Sequence, residues 1–288
     1  MDSLLIVRIL NLTTAVVVLV GARLAFRYLT PYTAQYDLVD EQNPAVAVLM
    51  AGFMLGVGIA ISGALFGRDV DNRLIATVMI LGEGVLTIAL TWLGLLINDR
   101  VVLRRFRLVR ELQDDRNLGA AFCAAGSLVS LGLILNGALA GFSDNFWLGL
   151  RDVCLYFVVG QLLLVGAAEL FHWITRYDVH QLIEFDDNVA VGLEFGAVLV
   201  CIGLIARAAI VGSGLMTLSE ELIYSATVGI VGIAFLLMAM RLIPRLVAPR
   251  LQHEEEVEMR GNLAVSITEA CLLISSMILF SAAFQRGW

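Results

Sequence analysis

The chain is poor in charged side chains and contains no lysine. Asp, Glu, Lys and Arg make up 16% of its 288 residues, all 19 basic residues are arginine, and the formal net charge is -7. Nucleic-acid-binding domains need a basic surface, often with aromatic side chains interleaved, and no stretch of this sequence has that composition. We therefore expect no nucleic acid among the partners of this protein.

Sequence motifs for catalysis and for metal binding are also missing. The chain has no HExxH, no GxSxG and no phosphate-binding glycine loop, and its three histidines lack ligand spacing. No CxxC pair occurs, and every cysteine falls in an apolar segment, which favours reduced packing residues over disulfides. These cysteines are Cys123, Cys154, Cys201 and Cys271. We therefore expect no enzyme activity, no cofactor and no metal site.

Apolar residues, in contrast, are abundant. The hydrophobic fraction is 59% and the mean hydropathy is +0.87. Several apolar runs exceed the roughly 18 residues needed to cross the hydrocarbon core of a bilayer. The composition therefore predicts an all-α, polytopic membrane protein. The eight predicted spans are about 4–29, 44–67, 73–97, 117–141, 147–173, 188–212, 219–243 and 262–284.

Four asparagines recur at a nearly constant spacing. They are Asn43, Asn117, Asn188 and Asn262. They lie 74, 71 and 74 residues apart, and small residues follow each of them at matched positions. A fixed period of this kind indicates internal duplication. Two crossings return the chain to its starting side, so the copies should be parallel. We predict one membrane domain, 1–288, with two-helix repeats at about 1–70, 71–144, 145–215 and 216–288.

Each asparagine precedes an apolar helix rich in glycine and alanine. The asparagine is the predicted N-cap, and acidic residues beside it lie near the positive end of the helix dipole. Small residues let neighbouring backbones approach, which supplies dispersion contact in lipid; Gly52 and Gly56 form such a surface. The small residues lie on two nearly opposite faces of each helix. We therefore expect these helices to form a closed inner bundle, with the other helices outside it.

Residues 29–62, LTPYTAQYDLVDEQNPAVAVLMAGFMLGVGIAIS, carry a recognisable pattern. The marks of this pattern are Thr30-Pro31, the acidic segment that ends at Asn43, Ala45, Ala47, Gly52 and Gly56. The passage resembles the YjfL-like inner-membrane proteins, the family of domain of unknown function 350. Its members commonly carry the two-span unit in pairs, so this chain looks like a four-unit version. The resemblance implies an integral protein of bacterial inner membranes, and it implies no reaction, substrate or catalytic residue.

Arginines are concentrated in the loops that carry the asparagines. The positive-inside rule places these loops in the cytoplasm and both termini in the periplasm. Residues 99–112, DRVVLRRFRLVREL, mix arginine with Val, Leu and Phe at helical spacing. This pattern is typical of an interfacial helix on anionic lipid. A docking surface for a protein partner at the cytoplasmic loops is the alternative.

Two sets of polar residues lie inside the predicted spans. Ionisable groups in hydrocarbon cost at least ~2.5 kcal/mol each, so they are candidates for function. The carboxylates are Glu83, Glu169, Glu194 and Glu269. We expect the last three to form one acidic layer at similar depth. The second set lies nineteen residues after each asparagine, near the outer ends of the helices: Ser62, Asn136, Arg207 and Ser281.

Two functions remain open on this evidence. Interhelical hydrogen bonds between the polar groups would suit an inner-membrane scaffold or a subunit of a membrane complex. The same groups could instead line a polar path, which would make the protein a proton- or cation-conducting channel or transporter with glutamates as carriers. The lipid bilayer is a partner in both cases, and a homo-oligomer stays open.

Overall fold

The structure, a computed structural model, describes residues 2–65, 73–102, 108–140, 146–175, 178–210, 218–247, 249 and 255–284. Its helices are α1 (Asp2–Leu29), α2 (Pro44–Leu65), α3 (Arg73–Ile97), α4 (Leu108–Gln113), α5 (Leu118–Ala140), α6 (Phe146–Ile174), α7 (Val179–Glu184), α8 (Val189–Ile210), α9 (Leu218–Val247) and α10 (Leu263–Phe284). Three short π-helical segments connect them, at Ala34–Asp40, Asn98–Val102 and Glu255–Met259.

Eight of the helices in the described ranges are long and apolar enough to cross a membrane. These eight are all of the helices named above except α4 and α7, which are six-residue helices just before α5 and α8. The prediction of an all-α protein with eight spans is therefore confirmed. Each predicted start lies within a few residues of the observed one. The predicted ends at 67, 141 and 212 lie outside the described residues.

The helices that follow the four asparagines, here called the Asn-led helices, pack side by side. They are α2, α5, α8 and α10. The most extensive contacts in the described structure join α2 to α5, α5 to α8, and α8 to α10. The helices α5 and α8 lie in the middle and are the most deeply buried of the spans. We call the three contact surfaces of this row its seams.

The expectation of a closed inner bundle is wrong for the described residues. No extensive contact joins α2 to α10, so the row is open at both ends. The physical reason is the placement of the small residues on each helix. Two contact faces that lie far apart around the axis extend a row, whereas a closed four-helix bundle needs faces close to right angles.

The remaining long helices cover one side of the row. Leu131 of α5 lies against Gly94 of α3, and Ile134 lies against Gly160 of α6. The helix α9 covers the same side further along, where Ile205 of α8 and Phe280 of α10 lie against Gly232. The opposite side of α5 and α8 is a narrow, half-exposed stripe. Its residues are Leu118, Phe122, Val129, Val189, Leu193 and Val200.

Candidate functional site

The four asparagines lie at the start of the row helices, and three of them link one helix to the next. Asn43 Oδ1 accepts hydrogen bonds from the backbone N–H groups of Ala45 and Val46, the geometry of an N-cap. Its amide nitrogen donates to the carbonyl oxygen of Leu112, just before α5. Asn117 and Asn188 repeat both features: each accepts from the first turn of its own helix and donates across the seam. Their cross-seam acceptors are the carbonyls of Ile183 and Val257.

Asn262 differs from the other three. Its Oδ1 accepts from the backbone N–H of Val265, 3.4 Å away, as a cap would. Its amide nitrogen donates to Glu256 of the same loop, 2.7 Å away. The first three asparagines therefore hold a helix start and a seam together, while Asn262 holds only its own helix start.

The backbone before each asparagine has the same shape in all four places. The preceding residue adopts the left-handed conformation, with φ between 48° and 58°. These residues are Gln42, Arg116, Asp187 and Gly261. Each asparagine N–H then donates to the carbonyl six residues before it, on Asp37, Glu111, Leu182 and Glu256 respectively. This conformation is unfavourable for side chains other than glycine, asparagine and aspartate.

Buried acids lie six residues before three of the asparagines, and sequence reasoning missed them. Asp37, Glu111 and Glu256 are all nearly inaccessible to solvent. Asp37 accepts from the backbone N–H of Thr33, and Glu111 and Glu256 each accept from the asparagine amide of their own loop. Burial raises the pKa of Glu111, while the hydrogen bond from Asn117 opposes that shift. Their matched distance from the asparagines was the signal that could have found them.

The polar residues nineteen positions after the asparagines form a hydrogen-bonded ladder across two seams. Asn136 of α5 donates from its amide nitrogen to the Ser62 hydroxyl and to the Ile59 carbonyl of α2, at 3.0 and 2.8 Å. Arg207 of α8 donates from Nε to Asn136 Oδ1 at 2.6 Å. Ser281 is buried in α10, but its hydroxyl has no hydrogen-bond partner among the described residues. The ladder therefore joins α2, α5 and α8 and does not extend to α10.

The predicted carboxylates are distributed over several surfaces. Glu194 of α8 accepts a hydrogen bond from the Ser266 hydroxyl of α10 at 3.0 Å, and Glu269 belongs to the buried face of α10. Glu169 is exposed on α6, and Glu83 is half-buried on α3. Among the described residues no three His, Cys, Asp or Glu side chains converge as metal ligands would. Of the expected acidic layer, the hydrogen bond to Ser266 places Glu194 at the α8–α10 seam, while Glu269 is buried on α10 and Glu169 is exposed on α6. That these three carboxylates share one depth stays a prediction.

A further polar group lies between α3, α5 and α6, and was not predicted. The amide of Asn98 donates to the Ser127 hydroxyl, and both side chains are buried. Gln161 of α6 lies near Gly94 of α3, and neither of its polar side-chain atoms has a hydrogen-bond partner within the described part of the chain. These residues fall outside the register of the asparagines, so the repeat pattern gave no sign of them.

Comparison with known proteins gives one positive result. No curated protein and no solved structure matches the chain. A family model with the description Domain of Unknown Function (DUF350) matches residues 2–139 and 144–284. The two matched segments cover nearly the whole chain, and each contains four of the eight long helices. The chain therefore belongs to the DUF350 family.

Proposed function

We propose that this protein is an inner-membrane scaffold, or a subunit of a membrane complex, built from four parallel copies of one two-helix unit. One observation carries the proposal: neighbouring backbones touch at the seams of the row. A methyl group added to Gly126 of α5 would lie 2.6 Å from the Gly196 Cα of α8, and one added to Gly132 would lie 2.6 Å from the Gly56 Cα of α2. Seams this close leave no room for a hydrated path between these helices.

The loop geometry supports the four-copy interpretation. The left-handed residue, the hydrogen bond to the carbonyl six residues back, and the N-cap all occur at each asparagine. The division of the family match into residues 2–139 and 144–284 supports a pair of larger copies, each with two of the four asparagines that begin the row helices. Duplication of a single hairpin, followed by duplication of the resulting pair, would produce both patterns.

The polar groups of the row support a structural role. In the ladder of Ser62, Asn136 and Arg207, the side-chain groups bond to one another across the seams. Such bonds between membrane helices contribute about 0.6 kcal/mol each on average, and they also fix the register of the helices. A rigid body of this kind suits a scaffold, and we propose no catalytic reaction for it.

The placement in the cell follows from the arginine distribution and from the family resemblance. We propose a bacterial inner membrane, with the asparagine loops in the cytoplasm and both termini in the periplasm. The arginine-rich segment 99–112 would then contact lipid headgroups or a cytoplasmic partner. Its two ends belong to the helical segments Asn98–Val102 and Leu108–Gln113, and residues 103–107 lie outside the described residues.

A second function is favoured by one observation at the α8–α10 seam. This seam contains Glu194, hydrogen-bonded to Ser266 of α10, and Glu269 is buried about one turn further along α10. Carboxylates inside a membrane can exchange protons with one another and with water. A proton or cation conductor that uses these two glutamates is therefore the alternative to the scaffold.

Flux measurements separate the two functions. The protein is reconstituted in vesicles that contain a pH-sensitive dye, and a K⁺ diffusion potential or a pH gradient is imposed. If the protein is a scaffold, the flux into vesicles that contain it should equal the flux into protein-free vesicles. A flux that the wild type supports and that Glu194→Gln or Glu269→Gln removes would replace the scaffold with the conductor. Asn136→Asp, in the ladder, is the control for a change of charge at a different seam.

A further inference from the structure

The three seams of the row use the same positions, counted from the asparagine of each helix. The residues at positions two, nine, thirteen and twenty face the next helix, and in α2, α5 and α8 all twelve are buried. In α2 these are Ala45, Gly52, Gly56 and Gly63; in α5 Gly119, Gly126, Ser130 and Gly137; in α8 Ala190, Ala197, Cys201 and Ala208. We call this set the forward face.

The next helix contacts the forward face through its own fixed set of positions. Residues at positions four, eight, fifteen and nineteen face the preceding helix, and we call this set the backward face. Two pairs show the match: a methyl group on Gly52 would lie 2.5 Å from the Ala125 Cα, and one on Gly126 would lie 2.6 Å from the Gly196 Cα. Both pairs join position nine of one helix to position eight of the next. The contact is thus one interface that the chain repeats.

The two ends of the row present the unused halves of that interface. On α10 every residue of the forward face is exposed: Ala264, Cys271, Ser275 and Ala282. On α2 the backward-face residues Ala47 and Ala51 are half-exposed and exposed, while Gly58 faces Leu19 of α1 and Ser62 is bonded to Asn136 of α5. The protein therefore carries an exposed forward face at one end and, around Ala47 and Ala51, an exposed part of the backward face at the other.

Within the described ranges, the asparagine loops also have an unused donor at one end of the row and an unused acceptor position at the other. The amides of Asn43, Asn117 and Asn188 each donate to the carbonyl of the residue five before the next asparagine. Asn117 does so while it also donates to the acid of its own loop. Asn262 makes only the bond to its own acid, Glu256, among the described residues. The position that matches the missing acceptor is Leu38, which precedes Asn43 by five residues at the other end of the row.

From these observations we infer that the forward face of α10 binds the backward face of α2 in a second copy of this chain. The contact continues the row from one molecule to the next, with Asn262 donating to the Leu38 carbonyl of the second copy. Because the two faces differ, the association is head-to-tail, and it can form a ring or an open array. The inference names the partner of the proposed scaffold.

The composition of the exposed face favours protein over lipid. Elsewhere bulky residues make up much of the exposed surface of the long helices, for example Leu5, Ile9 and Val16 on α1 and Leu222, Ile223 and Ile230 on α9, and exposed small residues such as Gly166 are scattered among them. The forward face of α10 instead has alanine, cysteine and serine. Small residues gain little from lipid chains, whereas they let a second helix approach closely.

Disulfide crosslinking tests the contact, because the chain supplies one thiol. Cys271 occupies position nine of α10 and is exposed, while Ala51 occupies position eight of α2. In the matching intrachain pair, a Cβ on Gly52 would lie 2.6 Å from the Ala125 Cβ, so a disulfide, whose Cβ atoms lie about 3.8 Å apart, forms when the two helices are about 1 Å further apart than in that pair. The variant Ala51→Cys with Cys154→Ser, which removes the other exposed thiol, is oxidised in membranes at low protein-to-lipid ratio.

We expect crosslinked dimers and larger species on a denaturing gel. The further change Cys271→Ser should remove them completely, and Leu162→Cys with Cys154→Ser, on the exposed side of α6, should not form them. Crosslinks that persist without Cys271, or none with it, would overturn the inference. Neither result depends on ion flux, so the scaffold proposal is judged separately.

A second measurement does not use cysteine chemistry. Ser275→Trp places a bulky side chain in the forward face of α10, and Ile230→Trp does the same on the exposed side of α9. We expect the Ser275 variant to lose the oligomer and to have the mass of the 31.3 kDa monomer in mild detergent, with the Ile230 variant unchanged. A wild-type monomer, or a complex in which a different protein covers α10, would contradict the inference.

Discussion

The first two seams of the row and the third share one register but differ in chemistry. At α2–α5 and α5–α8 the central contact is made by glycine, as at Gly126 and Gly196, and a polar ladder crosses both seams. At α8–α10 the same positions hold Ala197 and Ala270, no described bond of the ladder reaches α10, and a carboxylate, Glu194, bonds to Ser266 near the opposite end of these helices. The shared register therefore fixes where the helices meet, while the residues at single positions decide whether a seam is closed by backbone contact or by polar side chains.

This difference gives the two glycine seams and the third seam separate roles. The glycine seams bring the backbones of α2, α5 and α8 into contact, which fixes their relative positions. The third seam contains the carboxylate of Glu194, and Glu269 is buried nearby on α10, so this is the part of the row where ionisable side chains could change state. If the protein conducts ions, the third seam is where we expect the path.

The largest effect is predicted for a methyl group added to a glycine seam. Gly126→Ala forces α5 away from α8, because the new Cβ would lie 2.6 Å from the Gly196 Cα. We expect a loss of about 3 kcal/mol in the free energy of unfolding, the upper part of the range for overpacked cores. Denaturant titration of the helical signal in mild detergent measures it.

Gly166→Ala is the matched control for that change. Gly166 lies in α6, and a Cβ added there would have no atom within 4 Å. Alanine is the better helix former by about 1 kcal/mol, so this variant should be as stable as the wild type or more so. If both variants lose stability equally, close backbone contact is not what holds the second seam.

The long helices could be predicted from the sequence because length, hydropathy and period are local properties. The N-cap positions and the two faces of small residues were also local, and they located the seams. The two nearly opposite faces already imply an open row, and the expectation of a closed bundle did not follow from them. The cross-seam bonds of Asn43, Asn117 and Asn188 were missed, since an N-cap pattern uses only the oxygen of the amide.

The candidate site was harder to predict than the fold. The ladder residues Ser62, Asn136 and Arg207 were found because they share one position in the register. Glu169 shares only a depth with Glu194 and Glu269, and depth does not determine which way a helix turns its side chain. The buried Asp37, Glu111 and Glu256 were missed, because they precede the asparagines, whereas the matched small and polar residues follow them.

An intermediate effect is predicted for the asparagines, and it compares the interior of the row with its end. Asn117→Ala removes an N-cap and the cross-seam bond to Ile183, so we expect a loss of about 2 kcal/mol. Asn262→Ala removes only the cap and the bond to Glu256, and should cost about 1 kcal/mol in detergent-solubilised monomer. Equal losses would show that the cross-seam bond adds nothing. In membranes the difference should narrow if a second copy covers α10.

Variants at the ladder positions remove hydrogen-bonding groups rather than backbone contacts, and Ser281→Ala among them has the smallest expected effect. Asn136→Leu keeps the side-chain volume but takes away the donor to Ser62 and the acceptor for Arg207, and it leaves the guanidinium group with one partner fewer. Three such bonds, counting the one to the Ile59 carbonyl, at about 0.6 kcal/mol each give a loss of about 1.8 kcal/mol in the free energy of unfolding. Ser281→Ala, at the same position of α10, removes a hydroxyl that has no partner among the described residues, so stability should stay within about 0.5 kcal/mol of the wild type. A larger loss for Ser281→Ala than for Asn136→Leu would mean that the third seam also depends on a polar contact at this depth, and the difference between the seams would then rest on the glycines alone.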